Sequence, residues 1–424
     1  MPWSTALLIY RLLLPLLFVA AFPGWVVKML RRGGFRTRLA ERAAIYQKRG
    51  DDPRGSVHLH AVSVGEAMLA LKLIKAWLAS EPDRRFVLAT GTATGHQVAS
   101  AAAIPGLRVT YAPLDFRSMV RRYLDHFQPR QIVLIEGEAW PHLMLECEQR
   151  GIPVALVNAR MSPRSQRRYR RFAATLRPLF SMLKCVAIQE PGDAGIWQEL
   201  GVAPARIHHT GSLKFDPAGG AHPVRKPEFQ TMLDAFGNDR RVVLAASTHA
   251  GEESWLAAAI RDAAPAALPV IVPRHAERRA EVKTALEREG FTVVLRSKFE
   301  APAAMDERPP AFVIDSTGEL RDWTAHADVV IIGKSFKATG GQNPAEAIIA
   351  NKPLVIGPHM ENFQPLAASL IANHACLAAH DEVSLRNAIA AALDPAQAAM
   401  MTARASQVLA PHEGATARII GLLK

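Results

Sequence analysis

Short apolar runs alternate along this chain with longer segments in which apolar residues return every third or fourth position. The first run, Val57-His58-Leu59-His60-Ala61-Val62, alternates as a strand does, and residues 67–78 after it have the length and spacing of a helix. The rhythm then repeats. Strands are predicted at 86–90, 109–111, 131–135, 154–157 and 187–190, each followed by a helical segment. A Pro/Gly stretch at 217–223 interrupts the series, and a second one follows with strands at 241–246, 269–272, 292–295, 312–314, 328–333 and 353–358. Strands alternating with helices at this spacing imply parallel, doubly wound sheets. Two series of them imply an α/β protein of two Rossmann-like domains, 29–217 and 223–424.

In open α/β sheets ligands bind beyond the carboxyl ends of the strands, so the polar residues found there are the informative ones. Ser63-Val64-Gly65-Glu66 lies where the first strand becomes a helix, a place that favours an anionic side chain. Glu66 is therefore a candidate general base, against the plainer reading that it fills the first turn of a surface helix. Gly65 would let the backbone turn and let another molecule approach. Thr92, Glu136, Glu138, Asn158 and Arg160 follow other strands in the same way. Each alone could be a cap or a solvated turn, but together they share one sheet edge.

The second series offers Ser247-Thr248-His249, Pro273-Arg274-His275, Thr317-Gly318-Glu319-Leu320 and the glycine loop Gly340-Gly341-Gln342-Asn343-Pro344-Ala345-Glu346. Backbone N–H groups of Gly340 and Gly341 at a helix start could hold phosphate, with Lys334, Arg274 or Lys214 supplying positive charge. Glu346 could accept hydrogen bonds from ribose hydroxyls. No Walker lysine, opening GxGxxG, Asp-x-Asp or histidine cluster is present, which argues against an NTPase, a dehydrogenase or a metal site.

The amino-terminal segment differs from both series. From Pro2 to Val27 the only charge is Arg11, and Lys28, Arg31, Arg32, Arg36, Arg38 and Arg42 follow. A stretch of this length can anchor in a membrane, and a basic cluster beside it marks the cytoplasmic side. A cleaved signal peptide would carry its charge before the apolar run, so residues 1–28 read as an uncleaved membrane anchor, spanning or lying in the interface, with the body on the cytoplasmic side. Pro15 and Pro23 would kink it.

The whole chain has 424 residues, 49% of them hydrophobic, and carries 51 Lys and Arg against 39 Asp and Glu, a formal +12. That excess suits anionic lipid, nucleic acid or an acidic substrate without choosing among them. The arginine-rich segment 162–172 is equally a solvated face or a grip on phosphorylated lipid head groups. Cys147, Cys185 and Cys376 are far apart and imply neither a disulfide framework nor a zinc site.

Taken together the motifs resemble those of the Kdo transferases of lipopolysaccharide synthesis. The matches are His60 to Glu66; Glu136-Gly137-Glu138-Ala139-Trp140-Pro141; Asn158-Ala159-Arg160-Met161-Ser162 with Arg164; Gly211-Ser212-Leu213-Lys214-Phe215-Asp216; the second-series loops; and Gly357 to Phe363. The resemblance implies a GT-B fold, two Rossmann-like domains facing across a cleft plus the anchor helix. It also implies metal-free, inverting transfer of 3-deoxy-D-manno-octulosonic acid (Kdo) from CMP-Kdo to the lipid A precursor, lipid IVA. By the same resemblance Glu66 is the base, with Glu136 and Lys214 stabilising the transition state. Ser247, Thr248, Pro273, Arg274, Thr317 to Leu320 (with Gly318 and Glu319), Gly340, Gly341, Asn343 and Glu346 bind the donor, and Ser63, Gly65, Arg160 and Arg164 the acceptor. The implied partners are CMP-Kdo, the lipid A precursor and an anionic membrane surface, with no cofactor and no nucleic acid. The chain departs from the pattern at Gln342, Lys334 and Ala347, where the family usually has His, a second Gly and Pro. The alternatives are another GT-B enzyme, using a UDP-sugar donor or acting as a nucleotide-sugar epimerase, or a non-catalytic membrane-bound nucleotide-binding scaffold.

Overall fold

The computed structural model describes residues 2–31, 39–46, 53–137, 139–216, 223–300 and 308–424. Arg32, Arg36, Arg38, Glu138 and most of the 217–223 linker lie outside the described residues, as do the side chains of Lys28 and Arg31. The chain divides into two compact units: one holds the sequence up to the linker together with His412–Lys424, and the other ends at Pro411.

In the first unit seven parallel strands lie in the order β3-β2-β1-β4-β5-β6-β7. They are β1 Val57–Ala61, β2 Phe86–Thr90, β3 Leu107–Tyr111, β4 Gln131–Ile135, β5 Val154–Ala159, β6 Cys185–Ile188 and β7 Ile207–His209. Every residue of β1 is buried. Its alternation therefore separates two covered faces, not a core face from a wet one, as expected for a parallel sheet with helices on both sides. Val57, Leu59 and Ala61 pack under helix Val64–Ser80, which buries Leu73, Ile74 and Trp77 against them. Each such side chain contributes about 1.5–3 kcal/mol. His58 and His60 face the other way and are satisfied by Tyr123, whose hydroxyl lies 2.5 Å from His58 Nδ1 and 3.3 Å from His60 Nε2. Burial pushes the His60 imidazole down to about 4, so both rings belong to the core as neutral groups.

The carboxyl-terminal helix, Ala415–Leu423, corrects the expected domain boundary at 424. Its Ile419, Ile420 and Leu423 complete the core under Val64–Ser80 in the first unit. Asp216 caps it, accepting the Gly414 and Thr416 N–H groups at 3.0 and 2.6 Å. That contact between distant parts of the chain has no periodicity to announce it.

The amino-terminal helix runs Trp3–Arg31 through both prolines. Trp3 packs on the first unit's core, the Tyr10 hydroxyl donates to Asp115 at 2.8 Å, and Phe18 meets Phe116 edge-on with ring centroids 5.7 Å apart. Leu12, Leu16, Leu17 and Val19 remain more than 60% exposed, an apolar surface that water does not favour. Arg42, expected in the basic cluster beside the membrane, is instead buried in the first unit. It donates to the Gly91 carbonyl at 2.9 Å and lies 4.0 Å from the centre of the Tyr111 ring.

The second unit repeats the plan with order β10-β11-β9-β8-β12-β13-β14, again all parallel. Here β8 is Val242–Thr248, β9 Leu268–Pro273, β10 Thr292–Leu295, β11 Pro310–Val313, β12 Val329–Ile332, β13 Leu354–Ile356 and β14 Leu377–Ala378. Strand order reverses between β1 and β4 in one sheet and between β8 and β12 in the other. At such switch points the connections part and leave room for a ligand.

Candidate active site

Glu66 sits one turn into helix Val64–Ser80, beside the switch point of the first sheet. Ser63 forms the helix cap: its Oγ accepts the Glu66 N–H at 3.2 Å and donates to Glu66 Oε1 at 2.9 Å. The Val62 N–H donates to Glu66 Oε2 at 2.8 Å. This is close to a capping box, and it fixes the carboxylate against both the strand end and the helix start. Gly65 is not what turns the chain, since it lies within the helix and a Cβ there would meet only Ser63 Oγ at 3.9 Å. The cap makes the turn; Gly65 leaves an open surface beside it.

Just past β4, across the switch point, Glu136 has φ +69°. Its Oε1 accepts Asn158 Nδ2 at 3.5 Å, and its carbonyl accepts the Arg160 N–H at 3.1 Å. Asn158, fully buried, also accepts the Leu213 N–H at 2.9 Å, and so ties the loop carrying Lys214 to the end of β5. Burial and the charge of Arg160 push the Lys214 ammonium below its ordinary range while Glu136 pulls it back up. Glu136, Arg160 and Lys214 thus share one electrostatic neighbourhood. Asn158 ties this neighbourhood together; the sequence placed it at this edge without assigning it a task. His412 also escaped notice. Its Nδ1 accepts the Ser212 N–H at 3.2 Å, and Phe215 packs on its ring.

Arg164 stands apart on the exposed helix Pro163–Arg171, which buries none of its residues. In that helix Arg170 pairs with Glu199 at 2.8 Å.

Among the donor candidates of the second unit, Thr248 points inward, its hydroxyl 3.3 Å from Glu253, so its backbone and not its side chain is presented. Ser247 holds a left-handed φ of +55°. Arg274 follows Pro273 at the end of β9, with its N–H on the Thr248 carbonyl at 2.9 Å. Burial raises the Glu346 carboxyl above its usual range, and Arg321 and Arg274 oppose that rise. Thr317 and Gly318 are exposed after β11, while Glu319 is held by Ser316, by Trp323 at 3.3 Å and by Arg296 at 3.4 Å. Leu320 opens helix Leu320–His326, and Asn343 accepts the Ala345 N–H at 3.1 Å.

The glycine loop differs from expectation in how it works. The Gly340 N–H donates to Glu361 at 2.6 Å and the Gly341 N–H to the Lys334 carbonyl at 3.3 Å, so both amides already have acceptors within the protein. A Cβ would stand 2.4 Å from Asn362 on Gly340 and 2.5 Å from Met360 on Gly341. The glycines allow two loops to close on each other, and helix Ala345–Ile349 is too short to add a useful dipole.

Glu252 was not singled out from sequence. Its Oε1 accepts the His249 N–H at 2.7 Å and the Lys334 N–H at 2.6 Å, joining the two strand ends at the second switch point. Among the described residues no group of three or more His, Cys, Asp or Glu could hold a metal ion, and the three cysteines are buried and free. A cavity at 234–241 and 264–267 opens at the opposite, amino ends of β8 and β9 and contains no candidate residue.

Both a family model and curated relatives match this chain. The family model described as 3-deoxy-D-manno-octulosonic-acid transferase (kdotransferase) matches residues 37–217. The 3-deoxy-D-manno-octulosonic acid transferase of Bordetella pertussis is 34% identical, over 94% of this chain and 95% of that protein. The enzyme of the same name from Haemophilus influenzae is 30% identical, over 92% and 91%. Among solved structures, the UDP-GlcNAc 2-epimerase of Neisseria meningitidis aligns with a TM-score of 0.55 at 12% identity, over 87% of this chain and 99% of that one. This last likeness speaks for the fold alone, a GT-B fold built of two Rossmann-like units.

Proposed function

This chain belongs to the 3-deoxy-D-manno-octulosonic acid transferase family and is a glycosyltransferase; from that premise we propose that it moves Kdo from CMP-Kdo to a hydroxyl of lipid IVA, with inversion, at the cytoplasmic face of the inner membrane. The observation that carries the mechanism is Glu66, a carboxylate fixed at the β1 end by Val62 and Ser63. It takes the proton of the acceptor hydroxyl as the oxygen attacks the anomeric carbon and the bond to CMP phosphate breaks. A positioned base supplies about 10²–10⁴-fold.

The electron pair of the broken bond leaves with CMP. A single phosphate needs less neutralisation than a diphosphate, so Arg274 at the second sheet's edge and Lys214 beside Glu136 serve in place of a metal ion. Ser247, Pro273, Thr317 to Leu320, Asn343 and Glu346 frame the nucleotide, and Ser63, Gly65 and Arg160 the acceptor. The exposed leucines of Trp3–Arg31 enter the lipid, and Arg164 with its neighbours faces the head groups.

The test is incubation of the full chain with CMP-Kdo and lipid IVA, with and without chelator, reading product mass. Mass increments of one or more Kdo units, unaffected by chelator, are expected. Folded protein that yields none, or that takes only a UDP-sugar, would refute the assignment.

A further inference from the structure

Lys334 lies just past β12 with φ +58°, a left-handed backbone that glycine adopts freely and side chains seldom do. A side chain retained in such a position calls for a reason. Its backbone is pinned on both sides, by its N–H on Glu252 at 2.6 Å and by its carbonyl, which accepts the Gly341 N–H at 3.3 Å. The half-buried side chain then runs to the glycine loop, where the ammonium lies 3.6 Å from the point a Cβ on Gly340 would occupy. Among the described residues it forms no ion pair.

The carboxylates nearby, Glu252 and Glu361, already accept backbone N–H groups, and further positive charge stands on the adjoining strand ends. His249, on the adjoining strand end, is lowered by burial and then by the charges of Lys334, His275 and Arg278, while the Ser247 carbonyl pulls it upward. A cation placed at a sheet switch point, beside a loop whose own amides are occupied, is arranged for an anion from outside the protein.

We propose that Lys334 binds an anionic oxygen of the sugar-nucleotide donor, and so sets donor affinity in this chain. The inference rests on the CMP-Kdo reading. That donor offers two anionic groups, the nucleotide phosphate and the carboxylate of the sugar acid.

The decisive variant is Lys334→Gly in the full-length protein, because glycine keeps the left-handed backbone and should leave the melting temperature unchanged or higher. The KM for CMP-Kdo should rise by about tenfold or more, the loss expected for a hydrogen bond to a charged group. Lys334→Arg should recover most of it and Lys334→Gln little. Calorimetric titration with CMP alone locates the contact: weaker CMP binding assigns Lys334 to the phosphate, and unchanged CMP binding with a raised CMP-Kdo KM assigns it to the carboxylate. A folded Lys334→Gly protein with wild-type KM and CMP affinity would overturn the inference. Wild-type protein that does not turn over CMP-Kdo would instead bring down the donor reading, and this inference with it.

Discussion

At the edge of the first sheet the residues following β1 and β4 are carboxylates, Glu66 and Glu136; at the edge of the second, those following β9 and β12 are cations, Arg274 and Lys334. The two edges share a topology and an anchoring device. In each, one carboxylate accepts hydrogen bonds from the loops of the switch point: Glu66 from Val62 and Ser63, Glu252 from His249 and Lys334. In the first unit the anchored carboxylate is itself the candidate reagent. In the second it is buried scaffolding, and the residues it positions bring the charge. On the proposed mechanism one fold would carry a proton acceptor at one edge and cations for an anionic leaving group at the other, because strand ends fix where a side chain starts without fixing its chemistry.

The contrast is broken most severely at the base. Glu66→Gln should lower the transfer rate about 10²–10⁴-fold while leaving CMP binding as it was. Weakened CMP binding would mean that the first edge is not functionally separate. Next comes Arg274→Ala, which should weaken CMP binding and raise the CMP-Kdo KM by about 10–100-fold with a smaller change in kcat, from loss of a charged hydrogen bond to phosphate. A kcat defect alone would place Arg274 outside ground-state donor binding.

Smaller effects sharpen the comparison through stability. Asp216→Ala leaves the carboxyl-terminal helix uncapped and should cost about 1–2 kcal/mol in chemical denaturation, confined to the first unit. An equal shift in the second unit's transition would deny that confinement. The mildest lever is pH. Burial, then the charges of His209 and Arg418, lower the His412 imidazole to about 4, with Asp216 opposing. Since the unfolded chain takes up that proton first, the contribution of neutral His412 is complete above about pH 6.5 and is lost as pH falls toward 4. His412→Gln should therefore flatten the fall in stability between about pH 6.5 and 5 by up to about 1.4 kcal/mol per unit. An unchanged slope would mean that His412 is already charged in the folded protein.

Much of this architecture could be read before any coordinates. Apolar runs and helical spacing located most strands of both sheets and put Glu66, Glu136, Arg160, Arg274 and Lys334 at their carboxyl ends. Two short edge strands, Ile207–His209 and Leu377–Ala378, were not foreseen, because pairing with a neighbour and not their own pattern makes them strands. The glycines of the 340 loop suggested free amides, and only the approach of Asn362 and Met360 revealed that they serve close packing.

What the sequence determined by itself is the set of local choices: period, caps, turn residues and the chemistry offered at each strand end, all of which depend on neighbours within a few positions. What tertiary structure decided is which distant groups satisfy one another. Asp216 finding the amides of Gly414 and Thr416, Asn158 holding the Lys214 loop, Arg42 entering the body and Glu252 bridging two strand ends are hydrogen bonds and contacts between residues far apart in the chain. They arise because buried polar groups must be paired wherever the packing brings them, and no sequence period encodes that pairing.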